Sequence, residues 1–447
     1  MTGRSRVCQI GVVIALVACC QSVVTAQSRE KKVRDDRARV EKEGFWIYND
    51  LPKAFEEAKE TGKPIIVVLR CIPCEECVKL DDELVDTDPV IRPLLEQFVC
   101  ARQVSTNGLD LNLFQFDTDQ SFAVFFLNAD GTIYGRFGTR SHRTEWRPDV
   151  SLKGLAAALQ GALELHADYP NNKEILAGKR GTPLEVSSPE EFPTLKDRYT
   201  DRLSNDSNIV KSCIHCHQIG DARRDLYRKS GEAIPPRLLD PFPHPKVIGL
   251  ILDPHTPATV ETVAEESPAS EAGIQVGDRL LTMNRQPILS MADVQWVLDQ
   301  TSPEGETVSL EVDRDGKKVA IELQLDSGWR KKSDLTWRVS SWGLRRMVTG
   351  GMVLKPASEE ERNKLKVEEG KMALKVDNVG QYGAHATAKK AGFQKGDFVV
   401  SIDGRDDFLT ENDLFRYGVT EKRAGDKVEM EIRRGNQSKT MTLPMQK

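Results

Sequence analysis

Along this chain the apolar residues come first as a short block and then in clusters whose period switches between helical and extended. Ile10 to Ala18 is an apolar block behind Arg4 and Arg6. It is too short to span a bilayer and has the length of a signal-peptide core. Residues 28–44 are dominated by charge without apolar periodicity and read as a charged linker or exposed helix. Order begins at Phe45-Trp46. Ala54, Phe55 and Ala58 fall at helical spacing, with Asp50 to cap the helix and Gly62 to end it. Ile65-Ile66-Val67-Val68-Leu69 is a buried strand by length and β-branching. Val90 to Phe98 reads as helix, and Val99 to Val104 and Phe122 to Leu127 as strands. Asn128-Ala129-Asp130-Gly131 is a turn across which Thr132 to Phe137 pairs back. Leu152 to His166 is an amphipathic helix. This order predicts an α/β domain over 45–168.

Residues 169–196 are rich in Pro, Gly, Asn and Ser and read as a linker. Residues 197–245 form a short segment, expected to be α-helical, that ends in a proline cluster. The C-terminal half then repeats itself. Ala272-Gly273-Ile274-Gln275-Val276-Gly277-Asp278 matches Ala391-Gly392-Phe393-Gln394-Lys395-Gly396-Asp397. Each copy is followed by strand, turn, helix and hairpin, which predicts two β-rich α+β domains, 246–327 and 342–446. The charged stretch near Glu359–Glu368 reads as a helical insertion in the second.

The chain has 447 residues, which predicts two to four domains at roughly 100–200 residues each. Hydrophobic residues at 39% and charged residues at 29% suit soluble domains. A net charge of -5 without a basic, aromatic-interleaved run points away from nucleic acid. Val24-Thr25-Ala26 offers small residues for cleavage, giving a signal peptide over 1–26 and export to the periplasm or cell envelope. The alternative is a lipoprotein signal, Leu16-Val17-Ala18-Cys19, with a lipid anchor at Cys19 as the sole membrane attachment.

Export changes how the nine cysteines are read. Cys71-Ile72-Pro73-Cys74-Glu75-Glu76-Cys77 holds two overlapping C-x-x-C spacings between a strand and a helix. A helix N-terminus there stabilises a thiolate, as thiol–disulfide exchange requires. Structural disulfide and metal are the other readings. Cys213-Ile214-His215-Cys216-His217 is C-x-x-C-H, the spacing at which two thiols add to haem vinyl groups and the next imidazole takes the iron. Zinc is the alternative, with Cys213, Cys216 and His217 as ligands and His215 or His244 as fourth. A disulfide is the third reading.

The first cysteine group, placed after Lys63-Pro64 and its strand, resembles the thioredoxin superfamily. That resemblance implies Cys74 as attacking and Cys77 as resolving cysteine, with Cys71 extra. Two features depart from it: Glu75-Glu76 disfavour a thiolate, and Ser121-Phe122 stand where the superfamily has a cis-proline. The second group resembles the cytochrome c attachment site, which implies covalent haem c. The repeats resemble bacterial PDZ domains, which capture an extended C-terminus as an added strand. The carboxylate loop and edge strand fall on Ile248-Gly249-Leu250-Ile251-Leu252 in the first repeat and on Trp342 to Met347, with Gly343 and Leu344, in the second. The facing helices are Met291–Gln300 and Glu411–Tyr417. The whole order resembles a bacterial family of thioredoxin/PDZ proteins, some with selenocysteine. No G-x-S-x-G motif accompanies the repeats. These residues point to an envelope redox protein that exchanges disulfides, carries electrons on haem, meets a redox partner protein and binds protein C-termini. A non-enzymatic PDZ scaffold and a haem-based sensor are the alternatives.

Overall fold

A computed structural model describes residues 29–70, 88–120, 122–139, 150–204 and 208–446. The cysteines at 8, 19, 20, 71, 74 and 77 lie outside the described residues. Residues 29–43 form a helix, α1. Its charge run conceals a stripe at helical spacing: Val33, Asp36 and Val40 are buried, and Asp36 pairs with Arg102. The expected solvated linker is therefore part of the first domain.

That domain carries β1 (Ile47–Tyr48), α2 (Leu51–Thr61), β2 (Ile65–Arg70), α3 (Ile91–Leu95), β3 (Val99–Gln103), β4 (Phe122–Leu127), β5 (Ile133–Thr139) and α4 (Leu152–Ala167). The Asp50 carboxylate accepts the Lys53 N–H at 3.1 Å, and Gly62 ends α2 at φ 69°. The sheet order is β1-β3-β2-β4-β5, with β1 and β2 parallel to β3 and the β4–β5 hairpin antiparallel. Every position of β2 is buried because both faces are covered. Ile65, Val67 and Leu69 enter one core, and Ile66 and Val68 the other.

The linker and the separate 197–245 segment are both absorbed into this body. Residues 169–196 fold into a helical turn at Lys173–Leu176 and 3-10 turns at Ala177–Lys179 and Pro189–Glu191, with Leu176, Phe192 and Leu195 buried. Helix α5 (Cys216–Ser230) follows. Ile214, Ile219 and Ala222 share a core with Val67 and Phe125. Isolated apolar residues among turn formers leave no period to read, so pattern alone treats such a segment as a spacer.

The repeats fold alike. The first contains β6 (Leu250–Asp253), β7 (Thr259–Val263), β8 (Arg279–Met283), α6 (Met291–Gln300), β9 (Glu306–Arg314) and β10 (Lys317–Leu325). The second contains β11 (Met352–Pro356), β12 (Leu374–Val379), β13 (Phe398–Ile402), α7 (Glu411–Thr420), β14 (Lys427–Arg434) and β15 (Gln437–Pro444), with the charged insertion as a helix over Glu359–Leu365. Their sheets run β10-β9-β8-β7-β6 and β11-β12-β13-β14-β15. The repeated Gly-Asp has one mechanical task in both. Asp278 accepts the Gln275 N–H at 2.9 Å and two bonds from Arg314 at 2.7 Å, while Arg314 also donates to the Gly273 carbonyl. Asp397, Gln394, Arg434 and Gly392 reproduce the clamp. It ties the turn before the third strand to the closing hairpin.

The first domain and first repeat are joined through Asp293 of α6. Its carboxylate accepts Lys179 Nζ at 2.7 Å, the Arg136 N–H at 3.1 Å and the Leu289 N–H at 3.0 Å. Both ionic side chains are 1% exposed. Ser290 Oγ donates to the Arg136 carbonyl, and the Trp296 indole to that of Gly178. Removing one partner of a buried ion pair strands the other charge. Lys179→Met is expected to lower unfolding stability by about 3–5 kcal/mol in urea titration, and Lys179→Met/Asp293→Leu to recover most of that loss.

Candidate peptide groove and cysteine segment

In the first repeat β6 is the outer strand of its sheet. The chain turns into it at Gly249, φ 90°, where a Cβ would meet Ser267 Oγ at 2.1 Å. Glycine alone satisfies both the conformation and the close approach. Leu250 is fully buried and Ile251 half-buried, and α6 packs in the same core. Gly249, Leu250 and Ile251 thus occupy a turn and a sheet edge with the geometry strand addition needs. At the far end of β6 the first domain closes in. Ser151 Oγ donates to the Pro254 carbonyl at 2.7 Å. A gap of only about 20 Å³ separates Phe137, Gly138 and Gly154 from Pro254, Leu289 and Met291.

Gly343 and Leu344 do not sit on an edge strand. They lie in the helical turn Ser341–Leu344, which runs into a π-helical turn over Arg345–Thr349. The turn that matches Gly249 is Gly350-Gly351, at φ 60° and 89°, and β11 begins after it at Met352. The sequence Trp-Gly-Leu imitates the loop signal, but the helical stretch runs through Gly343 and ends only at Gly350, which is left-handed.

The C-x-x-C-H motif straddles the start of α5. Cys213 is extended at ψ 126°, His215 is the N-cap and Cys216 the first helical residue. Hydrogen bonds stitch the segment to the loop after β3. The Ile214 carbonyl accepts from Thr106 Oγ1 at 2.8 Å, Ile214 N–H donates to Asn107 Oδ1 at 2.8 Å, and Asn107 Nδ2 donates to the Thr200 and Ser212 carbonyls. Cys213 is 7% exposed with Sγ 3.8 Å from the Val104 carbonyl. Burial pushes its thiol up to about 11 and that of Cys216 up to about 12, the neighbouring Cys213 adding to the second. His215 and His217 stack at 6.0 Å, and His217 Nδ1 lies 3.5 Å from Asp221. Burial holds the His215 imidazole below its ordinary value. Cys100, on β3, is buried with Sγ 3.3 Å from the Leu95 carbonyl.

Among the described residues, the segment as packed leaves no porphyrin-sized space at its cysteines. The space beside Cys213 and Cys216 is about 10 Å³, room for one water at most. Sites for cofactor-sized molecules occupy roughly 300–1,000 Å³. A cavity of about 400 Å³ does border α5, lined by Ile219, Arg223 and Tyr227 with Phe114, Leu238 and Phe242. His217 lies two residues before Ile219, about 200° around the helix, so its imidazole faces away from that cavity. The zinc set fares no better. His244 Nδ1 accepts the Lys246 N–H at 3.1 Å, and among the described residues no group of three or more His, Cys, Asp or Glu side chains is arranged to hold a metal.

Two segments match known domain families. Residues 46–129 are thioredoxin-like, and residues 246–325 are a PDZ domain. The chain therefore joins a thioredoxin-like domain to a PDZ domain, followed by a further β-rich unit. Among curated proteins it is similar to a probable periplasmic serine endoprotease, DegP-like, of Pseudomonas fluorescens, 26% identical over 33% of this chain and 29% of that protein. It is also 27% identical to the periplasmic pH-dependent serine endoprotease DegQ of Escherichia coli, over 34% of this chain and 29% of that protein. A serine endoprotease structure from Yersinia pestis aligns over 18% of this chain and 29% of that one at 28% identity, with a TM-score of 0.16. The chain thus spans under a third of the length of these relatives.

The neutral thiols of buried Cys213 and half-buried Cys216 make a measurable prediction. Below about pH 8.5 both thiols are protonated folded or unfolded; above it the unfolded chain ionises first. Their contribution to stability is then lost as pH rises toward about 11 and about 12. Urea midpoints are expected to fall above about pH 8.5 in wild type and less in Cys213→Ala/Cys216→Ala. Protein purified from a host with haem-attachment machinery is expected to show no covalent haem absorption.

Proposed function

We propose that this chain is an exported envelope protein whose PDZ domain captures the C-terminus of a partner protein and whose thioredoxin-like domain exchanges disulfides with that partner. The observation that carries the reading is a shared end. A peptide added antiparallel to β6 has its carboxylate at Gly249-Leu250, so its upstream residues run past Asp253 toward Pro254. Pro254 faces Phe137 and Gly138 of β5. In the thioredoxin-like sheet, β5 ends level with β2, through the pairs Arg70–Phe122 and Phe122–Thr139. Cys71 is the residue after Arg70. These pairings support the reading that a captured tail leaves the groove near the end of β2, after which the sequence carries the first cysteine group.

The chemistry balances within the two proteins. The Cys74 thiolate attacks a partner disulfide and releases one partner thiolate, which takes up a proton. The Cys77 thiolate then displaces the second partner sulfur. The partner is reduced to two thiols and the chain is oxidised to a Cys74–Cys77 disulfide, which a dithiol protein must reduce for turnover. Glu75 and Glu76 destabilise the thiolate and so favour the oxidised pair, which makes the reduced form a reductant. Export is supported by the apolar block behind Arg4 and Arg6 and by the periplasmic relatives; among the described residues no helix is long and apolar enough to cross a membrane.

Two expected outcomes follow. Fluorescence anisotropy with a peptide ending in free Val-Leu is expected to show binding that weakens at least tenfold on C-terminal amidation. Cys74→Ser is expected to abolish insulin reduction while leaving that binding unchanged. Loss of neither activity by these changes leaves a peptide-binding scaffold without redox function.

A further inference from the structure

The second repeat has the parts of a peptide groove, yet its own side chains fill it. β11 holds the outer position that β6 holds in the first repeat, and α7 stands for α6. The two helices align through a shared cap: Leu289 N–H donates to Asp293 and Leu409 N–H to Asp413, both at 3.0 Å. In this register Glu411 stands where the first repeat has Met291. Counting from Gly351 and Gly249, Leu354 stands where it has Leu252.

Glu411 opens a helix, the position at which a carboxylate is ordinarily solvated, but it is 2% exposed. Its Oε1 accepts the backbone N–H of Leu354 at 2.9 Å. Arg345 donates Nε to both carboxylate oxygens at 3.1 Å and Nη2 to Oε2 at 2.6 Å. Arg345 is itself buried, with Nη1 on Ser341 Oγ at 3.0 Å. One turn on, Val348 presses on α7 so closely that a Cβ on Gly418 would meet it at 2.4 Å. Along β11 the Met352 carbonyl accepts from Thr349 Oγ1 at 2.7 Å, and Pro356 has no N–H to give. Strand addition draws on the edge strand's own amides and carbonyls. Here the Leu354 amide already has an acceptor, and the Met352 carbonyl already has a donor.

We propose that the second groove is latched. Glu411 acts as a built-in surrogate for a ligand carbonyl, Arg345 locks it in place, and the segment 345–349 covers the helix face a ligand side chain would meet. The protein therefore captures C-termini through the first repeat alone, and the second groove opens only when the Arg345–Glu411 pair is broken. A peptide displacing Glu411 would leave the Arg345 charge buried without its counter-ion, which is why an ordinary ligand does not open it. This rests on the peptide-capture reading of the first repeat.

The test is amide hydrogen exchange on the full chain, read by mass spectrometry with and without excess peptide ending in free Val-Leu, and by calorimetric stoichiometry. In wild type the peptide is expected to slow exchange at 250–253, leave 352–356 unchanged and bind one to one. Glu411→Met, which installs the first repeat's residue, is expected to give peptide-dependent protection at 352–356 and a second equivalent of binding. Arg345→Met serves as the second variant should Glu411→Met lose its circular dichroism. Protection of 352–356 in wild type overturns the latch, as does one-to-one binding by a folded variant. Protection of neither stretch in wild type overturns the capture reading itself, a result distinct from the other two.

Discussion

The arrangement of this molecule depends on one buried carboxylate. Asp293 begins no new fold and touches no ligand, yet it accepts hydrogen bonds from a lysine, from a strand backbone and from the loop before its own helix. A charge buried in this way is tolerated only when its whole acceptor capacity is used. The requirement fixes three things at once: the turn at Ala177–Lys179, the edge of the thioredoxin-like sheet at Arg136, and the helix of the PDZ domain. Arg136 reinforces the joint by stacking on Trp296 at 3.8 Å while donating to the Lys179 carbonyl. A second joint ties the C-terminal repeat to the same domain, with Arg338 between Asp117 and Asp119 at 2.7 and 3.1 Å. Polar bonds of this kind are directional, so they set orientation where apolar packing alone permits sliding.

Rigid joining gives the two grooves different fates. The first keeps an outer strand behind a glycine turn, and its upstream end abuts the thioredoxin-like domain at Pro254. The second spends its edge on internal contacts, the Leu354 amide on Glu411 and the Met352 carbonyl on Thr349. The C-x-x-C-H segment belongs to the same logic of closure. Its Ile214 joins the core beneath β2 and β3, where it is fully buried, and its two thiols are held protonated at neutral pH.

Much of the fold was legible because its elements carry a clean period. Ile65 to Leu69 and Phe122 to Leu127 are buried on both faces and read as strands on sight; Asp50 and Gly62 mark both ends of α2. The repeated Ala-Gly-x-x-x-Gly-Asp located the clamp turns in both repeats, although Arg314 and Arg434, which complete them, lie far along the chain and carry no local signal. What escaped had long-range causes. Val33, Asp36 and Val40 sit in a run of charges and become a buried stripe only when Arg102 is supplied from a strand. Residues 169–196 carry too few apolar positions per turn to show a period, so a packed segment resembled a spacer, and 197–245 read as a separate helical segment although it shares the first domain's core. Trp342-Gly343-Leu344 imitates a loop motif that the following helix overrides. The pairs Lys179–Asp293 and Arg345–Glu411 join residues 114 and 66 positions apart, and nothing local announces either.

Capture and thiol exchange are proposed to act on one tail. The direct measurement is trapping of a mixed disulfide by Cys77→Ser protein, offered a peptide that bears an activated disulfide on a cysteine upstream of its C-terminus. A free C-terminal carboxylate is expected to accelerate trapping at Cys74 well above the amidated peptide, and free-acid competitor peptide without cysteine to remove the advantage. Equal trapping rates for the free-acid and amidated peptides would contradict the proposal.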